Sequence, residues 1–167
     1  MKIEITRNNK EFTVLDKNML ILKGRCPKWY SSELCFFHNS KTYEIKKKGF
    51  WSSSFIILES GHPIGAIDWS LKKSYKIILK NNPSSLQYWL KKEKVGKWYA
   101  ADRKYLLCEN GETPILTIHY ALKKWKESIE AEFIDKDTTD YVLLICALFV
   151  MKLQQSAENA AVGASGF

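Results

Sequence analysis

Apolar and polar side chains alternate along most of this chain. In "ESIEAEFI", Ile129, Ala131 and Phe133 fall on one side while Ser128, Glu130 and Glu132 fall on the other, as in a strand with one buried and one wet face. Leu116, Ile118, Tyr120 and Leu122 alternate in the same way with Thr117, His119, Ala121 and Lys123. Tyr43, Ile45 and Lys47 begin the pattern in "TYEIKKK", and "YKIILK" and "LQYWLK" repeat it less cleanly. Turn signals lie between: Asn8-Asn9, Ser60-Gly61, Asn81-Asn82-Pro83, Asp102-Arg103 and Asn110-Gly111. Asn-Gly tolerates the positive φ angles of a tight hairpin, so Tyr105 to Glu109 and a strand from about Pro114 are predicted to be antiparallel neighbours. From Lys2 to Ile134 the runs amount to about a dozen short strands at intervals of roughly ten residues, the spacing of an all-β sandwich or barrel.

The pattern changes near the C-terminus. "YVLLICALFVMK" (141–152) carries no charge from Tyr141 to Met151. Asp137, Thr138, Thr139 and Asp140 precede it, side chains that accept hydrogen bonds from a first helical turn. Leu, Ala, Met and Gln favour helix, so a helix is predicted over 140–155. Its apolar residues cover every face, so it must be enclosed on all sides. Spanning a bilayer takes about 20 apolar residues, and this run stops at Met151, so burial within protein is expected over a tail anchor. About 16 helical residues rise roughly 24 Å, close to seven strand residues. A small eight-stranded barrel has no room for a helix, whereas about twelve strands enclose one. The chain is thus read as mainly β: a closed antiparallel barrel of about twelve strands enclosing a hydrophobic C-terminal helix. Residues 1–155 form one domain, and the small, polar segment 156–167 is expected to be a flexible tail.

"FIILESGHPIGAI" (55–67) and "YLLCENGETPILTI" (105–118) share the order aromatic, aliphatic pair, Glu, Gly-containing turn, Pro-Ile. Each reads as one hairpin; the two are either an internal repeat or a chance likeness of ordinary turn chemistry. The many short strands, these hairpins, "SIEAEFI" and "DTTDYVLLICALFVMKL" together resemble the tubby C-terminal-like superfamily, in its LURP-one-related and phospholipid scramblase-like branch, over about residues 2–155. The resemblance implies a twelve-stranded barrel around a central helix. It also implies phosphoinositide binding through basic side chains, but no basic motif aligns residue by residue, so no site is carried over.

Composition narrows the remaining choices. With 167 residues and 46% hydrophobic content, one ordinary globular domain is expected. Cys26, Cys35, Cys108 and Cys146 lack the close spacing of a secreted disulfide scaffold, which suggests a reducing, cytoplasmic setting. "MKIEITRNNK" has no apolar stretch of a signal or transit peptide, so none is expected. The net charge of +8 favours anionic partners without selecting among nucleic acid, lipid and acidic protein.

Enzymatic constellations are scarce. Cys35 and His38 stand at an odd offset on a strand, on opposite faces, which disfavours a nucleophile and base pair. Cys26, Cys35 and His38 lack the paired spacing of a zinc site, and no P-loop, G-x-G-x-x-G, H-E-x-x-H or G-x-S-x-G motif occurs. Glu130 and Glu132 read as solvated groups on an outer face. No catalytic residue, metal or cofactor is assigned.

Basic clusters beside aromatics are more informative. "KKKGFW" sets Lys46, Lys47 and Lys48 against Phe50 and Trp51; "KKWK" sets Lys123 and Lys124 around Trp125; "KKEKVGKWY" sets Lys91, Lys92, Lys94 and Lys97 beside Trp98 and Tyr99. Lysine is drawn to an anionic leaflet and tryptophan to the interfacial zone, so the candidate headgroup-binding residues are Lys46, Lys47, Lys48, Trp51, Lys123, Lys124 and Trp125. The competing reading is that these lysines solvate loops and guard strand edges. The expectation is a monomeric, non-enzymatic binding or scaffold domain, peripheral at an anionic phospholipid or phosphoinositide surface. A protein interaction module is the alternative, and an enzyme with a pocket assembled from distant residues comes third. Nucleic acid is disfavoured because arginine is confined to Arg7, Arg25 and Arg103 and no recognition signature is present.

Overall fold

The computed structural model describes residues 1–5, 11–25, 33–49, 51–70, 74–81, 84–93, 102–123, 126–135 and 139–164. Among them, twelve strands are followed by one helix: β1 (Lys2–Ile5), β2 (Glu11–Asp16), β3 (Met19–Arg25), β4 (Leu34–His38), β5 (Lys41–Lys47), β6 (Phe55–Glu59), β7 (His62–Ser70), β8 (Ser74–Asn81), β9 (Ser84–Glu93), β10 (Arg103–Glu109), β11 (Thr113–Lys123), β12 (Lys126–Phe133) and α1 (Tyr141–Ala164). Each strand pairs antiparallel with the next, and β1 pairs with both β2 and β12, so the sheet closes as an up-and-down barrel. Closure leaves no strand with one side wholly unpaired, as the outer strands of an open sheet would be.

The alternation read from the sequence becomes the inside and outside of this wall. Ile129, Ala131 and Phe133 are buried while Ser128, Glu130 and Glu132 are exposed, and Leu116 and Ile118 line the interior opposite their β10 partners Leu107 and Tyr105. Cys35 lies on the outer face of β4, between the buried Leu34 and Phe36.

Consecutive connections of an up-and-down barrel alternate between its two ends. One end, the turn end, carries two-residue reversals whose central residues have positive φ: Lys17-Asn18 (48° and 66°), Asn39-Ser40 (49° and 59°) and Ser60-Gly61 (49° and 85°). Asn110 (49°) and Gly111 (79°) behave likewise, with the Glu112 N–H donating to the Glu109 carbonyl at 3.0 Å, as the Asn-Gly pair predicts. Asp102 precedes β10 and forms no such reversal, while Asn8-Asn9 and Asn82-Pro83 lie outside the described residues.

The two look-alike segments are equivalent in structure. In β6–β7 the register shifts between Ile57 and Leu58, which pairs with Pro63; in β10–β11 it shifts between Leu107 and Cys108, which pairs with Pro114. Ile64 and Ile115 are therefore the extra residues in equivalent bulges. A third copy stands in β2–β3, where the shift between Val14 and Leu15 leaves Ile21 as the extra residue. The bulges recur every fourth strand at one end of the barrel, each adding local twist that helps the sheet close.

The helix fills the barrel. Leu143 to Met151 are buried without interruption, none more than 8% exposed, and over two turns that leaves no face toward water. Its partners stand around the ring: His38 on β4 against Tyr141 (5.1 Å between ring centroids), Phe55 on β6 against Phe149 (5.1 Å, edge-on), and the Tyr105 hydroxyl on β10, which accepts from Gln155 (3.4 Å). Asp140 caps the N-terminus, its Oδ1 accepting from the Leu143 N–H at 3.0 Å.

The helix differs from the expected 140–155 at its far end. It continues past Gln155 to Ala164, so residues 156–164 extend it where a flexible tail was expected; residues 165–167 lie outside the described residues. Ala157 and Ala160 favour helix, and Glu158 anchors this turn to Lys92 on β9 (2.8 Å) and Arg103 on β10 (3.0 Å).

Two buried phenols, Tyr43 and Tyr88, and the half-buried Tyr120 make the fold sensitive to alkali. Burial, followed by the hydrogen bond it donates to Glu59 (2.7 Å), pushes Tyr43 up to about 12. Burial likewise pushes Tyr88 up to about 12, helped by Glu109, and Tyr120 up to about 12, helped by Glu127. An unfolded tyrosine ionises near pH ~10, so the native state favours the neutral phenol; the resulting stability is complete below about pH 10 and is lost as pH rises toward about 12. Thermal melts with tyrosinate absorbance should show the melting temperature falling between about pH 10 and 12, less steeply in Tyr43→Phe, Tyr88→Phe and Tyr120→Phe variants. Tyrosinate appearing near pH ~10 in the still-folded protein would contradict the burial of these rings.

Candidate anion-binding rim

The end opposite the tight turns, called here the loop rim, receives the connections β1–β2, β3–β4, β5–β6, β7–β8, β9–β10 and β11–β12, because alternate connections of a meander share an end. In sequence these connections carry Arg7, Lys10, Lys28, Lys48, Lys72, Lys73, Lys94, Lys97 and Lys124 against Glu33 and Asp102, with Trp29, Trp51, Trp98 and Trp125 among them. The turn-end connections carry Lys17 and Lys136 against Glu112, Asp135, Asp137 and Asp140. By sequence, lysine and tryptophan are thus concentrated in the connections of one end; of these, Lys48 and Trp51 are among the described residues.

The β5–β6 connection is the best described part. The Lys48 N–H donates to the Ser54 carbonyl (2.9 Å), the Ser52 N–H to the Gly49 carbonyl (3.1 Å) and the Ser54 N–H to Ser52 Oγ (3.0 Å). This shape holds Trp51 outward, 93% exposed. Lys48 reaches Asp68 on β7 at 3.6 Å, which brings the connection beside Trp69. That indole, 41% exposed, packs edge-on against Tyr75 (4.7 Å); Tyr75 tilts on Phe55 (6.4 Å), and Phe55 meets Phe149 of the helix. A column of aromatic rings therefore rises from the core to the rim on the β5–β8 side.

The described candidate residues face in different directions. Lys46 points to the outer wall, where it pairs with Glu44 (2.8 Å), a hydrogen bond that raises its pKa; Lys47, on the same parity as the buried Tyr43 and Ile45, reaches the rim. Lys123 ends β11 and pairs in register with Lys126; Lys124 and Trp125 between them, like Cys26, Phe50, Lys94, Lys97, Trp98 and Tyr99, lie outside the described residues. Around the ring, β7–β10 separate the β5–β6 and β11–β12 hairpins in one direction and β1–β4 in the other. The β5–β6 and β11–β12 strand pairs therefore stand at opposite sides of the barrel.

Several rim groups were not among the headgroup-binding candidates read from sequence. Trp69 is one, and the charges around the helix exit are others: Lys92 and Arg103 on Glu158, Lys104 on Glu93 (2.8 Å), and Lys152 on Glu127 (2.7 Å) and above the Tyr120 ring (5.4 Å). The rule that alternate hairpins share an end would have located Trp69 and Lys92 once closure was assumed. All these pairs are partly solvated and contribute little to stability.

Elsewhere, a depression of ≈ 480 Å³ at the β1–β12 seam is lined by Asp16, Lys17, His119, Glu130, Glu132 and Tyr141 among others. Cys146 is fully enclosed, and burial pushes its thiol far up, away from the reactive thiolate. Comparisons with known protein families, with characterised proteins and with solved structures found no match for this chain.

Proposed function

We propose that this chain is a non-enzymatic binding domain that contacts anionic phospholipid headgroups through its loop rim, as a monomer peripheral to a membrane on the cytoplasmic side. The observation that carries the reading is Trp51, 93% exposed in the β5–β6 connection that also holds Lys48, at the end whose connections are rich in lysine and tryptophan by sequence. Near an anionic leaflet each lysine contributes about 1 kcal/mol, and an indole settles at the headgroup level. Membership of the tubby C-terminal-like superfamily belongs to the same proposal: the barrel around a hydrophobic C-terminal helix is the architecture that resemblance implies.

Sedimentation with vesicles tests it. The protein should pellet with phosphatidylserine or phosphoinositide vesicles and stay in solution with neutral phosphatidylcholine. Trp51→Ala should weaken the partition about tenfold, the equivalent of partly burying one large side chain, without moving the melting temperature. Equal, negligible pelleting with all three lipids would remove the lipid reading.

One observation favours a second reading, a protein interaction module. Only Lys23–Arg25 of β3 pair with β4 among the described residues, so Met19–Leu22 extend beyond it. Met19 (64%), Leu20 (53%) and Phe37 (59%) are exposed there. A partner strand could add to this edge, and a stoichiometric partner lost on Leu20→Pro would favour this reading.

A further inference from the structure

We infer that the barrel wall opens at the β1–β12 seam while the rest of the molecule stays folded, with β1–β3 swinging outward as one panel. This goes beyond the membrane reading and does not depend on it. The seam is short. Lys2 pairs in register with Glu130 and Ile3 with Ile129, and the Ala131 N–H donates to the Met1 carbonyl (3.0 Å). Toward the loop rim the register stops there, although Glu4, Ile5, Glu127 and Ser128 are all strand residues. Toward the turn end Glu132 and Phe133 run on past Met1, and the depression of ≈ 480 Å³ opens beside them. The other flank of β12 stays in register with β11 from Leu116–Phe133 to Lys123–Lys126. On the outer face, Lys2 Nζ turns to Glu4 on its own strand (2.8 Å) rather than across the seam to Glu130.

Within the panel the bonding is continuous. β1 stays paired with β2 from Lys2–Leu15 to Ile5–Phe12, and β2 with β3 from Asp16–Met19 to Glu11–Arg25; the Phe12 ring lies against Gly24, its partner on β3. At its far side the panel meets β4 over Lys23–Arg25 among the described residues, a short line about which it can turn. The helix leans the other way. Among the described residues its backbone runs closest to β8 and β9, and β8 stands opposite β2 in the ring. Its polar and aromatic contacts hold the remaining wall, through His38 on β4, Phe55 on β6, the Leu90 carbonyl on β9 (3.3 Å from Gln154 Nε2), Tyr105 on β10 and Glu127 on β12. What the panel offers to the core is apolar, Ile3, Phe12, Val14 and Leu22. Packing of that kind is non-directional and parts without breaking a hydrogen bond. A segment held in this way opens before the molecule as a whole.

Residue-level hydrogen exchange on the whole chain tests this, because successive amides of β12 point to different strands. The N–H groups of Ile129 and Ala131 face β1, whereas those of Glu130 and Glu132 face β11. Ile3, Ile129 and Ala131 should be protected about a hundredfold less than Glu130 and Glu132, while Glu4 and Thr13, bonded between β1 and β2 inside the panel, should stay as protected as Glu130. A disulfide joining Lys2→Cys to Glu130→Cys, made with Cys26→Ser and Cys35→Ser, ties two directly opposed outward positions. Oxidised, it should raise Ile129 and Ala131 to the level of Glu130 and Glu132; reduced, it should release them. Uniform protection along β12 in the parent would overturn the inference, and so would an oxidised variant whose Ile129 and Ala131 exchange as fast as in the reduced one. Glu4 and Thr13 exchanging together with Ile129 would show β1 peeling away alone, which removes the panel.

Discussion

Replacing Leu144 by aspartate should leave no folded protein, and replacing it by alanine should leave a weakened barrel. Leu144 is fully buried at the first turn of α1, with Leu143 and Ile145 enclosed beside it. Leu→Ala removes its contacts and opens a cavity that a closed wall cannot collapse into, costing about 2–5 kcal/mol. Domains of this kind are stable by about 5–15 kcal/mol, so even this change consumes much of the total. Aspartate is worse. The buried set is apolar apart from Gln155 among the described residues, so the carboxylate meets no cation and either pays several kcal/mol or takes up a proton. Chemical denaturation and near-ultraviolet circular dichroism read both effects, with Ser156→Asp, on the exposed part of the same helix, as a control expected to melt like the parent. A cooperative, near-parental transition for Leu144→Asp would mean that the helix is not enclosed, and the assignment of the loop rim as the free recognition surface would go with it.

The helix and the wall were legible because their signals are local and strong. No charge interrupts Tyr141 to Met151, and a helix apolar on every face has few places to go; the period of two in "SIEAEFI" maps directly onto the inner and outer faces of β12. What was not legible depended on contacts distant in sequence. Glu158 looked like part of a polar tail because its partners, Lys92 and Arg103, belong to strands far upstream. The third bulged hairpin escaped notice because "VLDKNMLIL" (14–22) has neither the Gly nor the Pro of its two counterparts; Lys17 and Asn18 adopt positive φ without them. The candidate site shows both cases. Alternation from Tyr43 through Ile45 to Lys47 already separates Lys47 from Lys46, which the wall directs to Glu44. That the β5–β6 and β11–β12 strand pairs stand on opposite sides of the barrel follows only from the strand order of the closed ring, which no single segment encodes.

The same closed ring makes Gly65 irreplaceable, and Gly65→Ala should cost about 1–3 kcal/mol. Space is the reason. A Cβ there would lie 2.4 Å from the Ile78 carbonyl oxygen, 3.0 Å from Leu79 Cδ2 and 3.2 Å from Ile57 Cδ1. The two side chains can give a little, but the oxygen belongs to the backbone of β8, paired with β7 on one side and β9 on the other. Gly24 provides the contrast: its Cβ would meet the Phe12 ring, a side chain that can be shortened. Gly24→Ala should therefore be partly rescued by Phe12→Leu, whereas Leu79→Val should not rescue Gly65→Ala, because the limiting atom remains. Denaturant melts of the four variants separate the cases. Because β7 continues from Gly65 through Asp68 to Trp69, any shift that accommodates the methyl group travels toward the Lys48–Asp68 pair and the exposed indole. Gly65→Ala should thus also weaken vesicle binding, though it touches no rim residue. Parental stability in this variant would show that β7 and β8 are not packed as closely as their register requires.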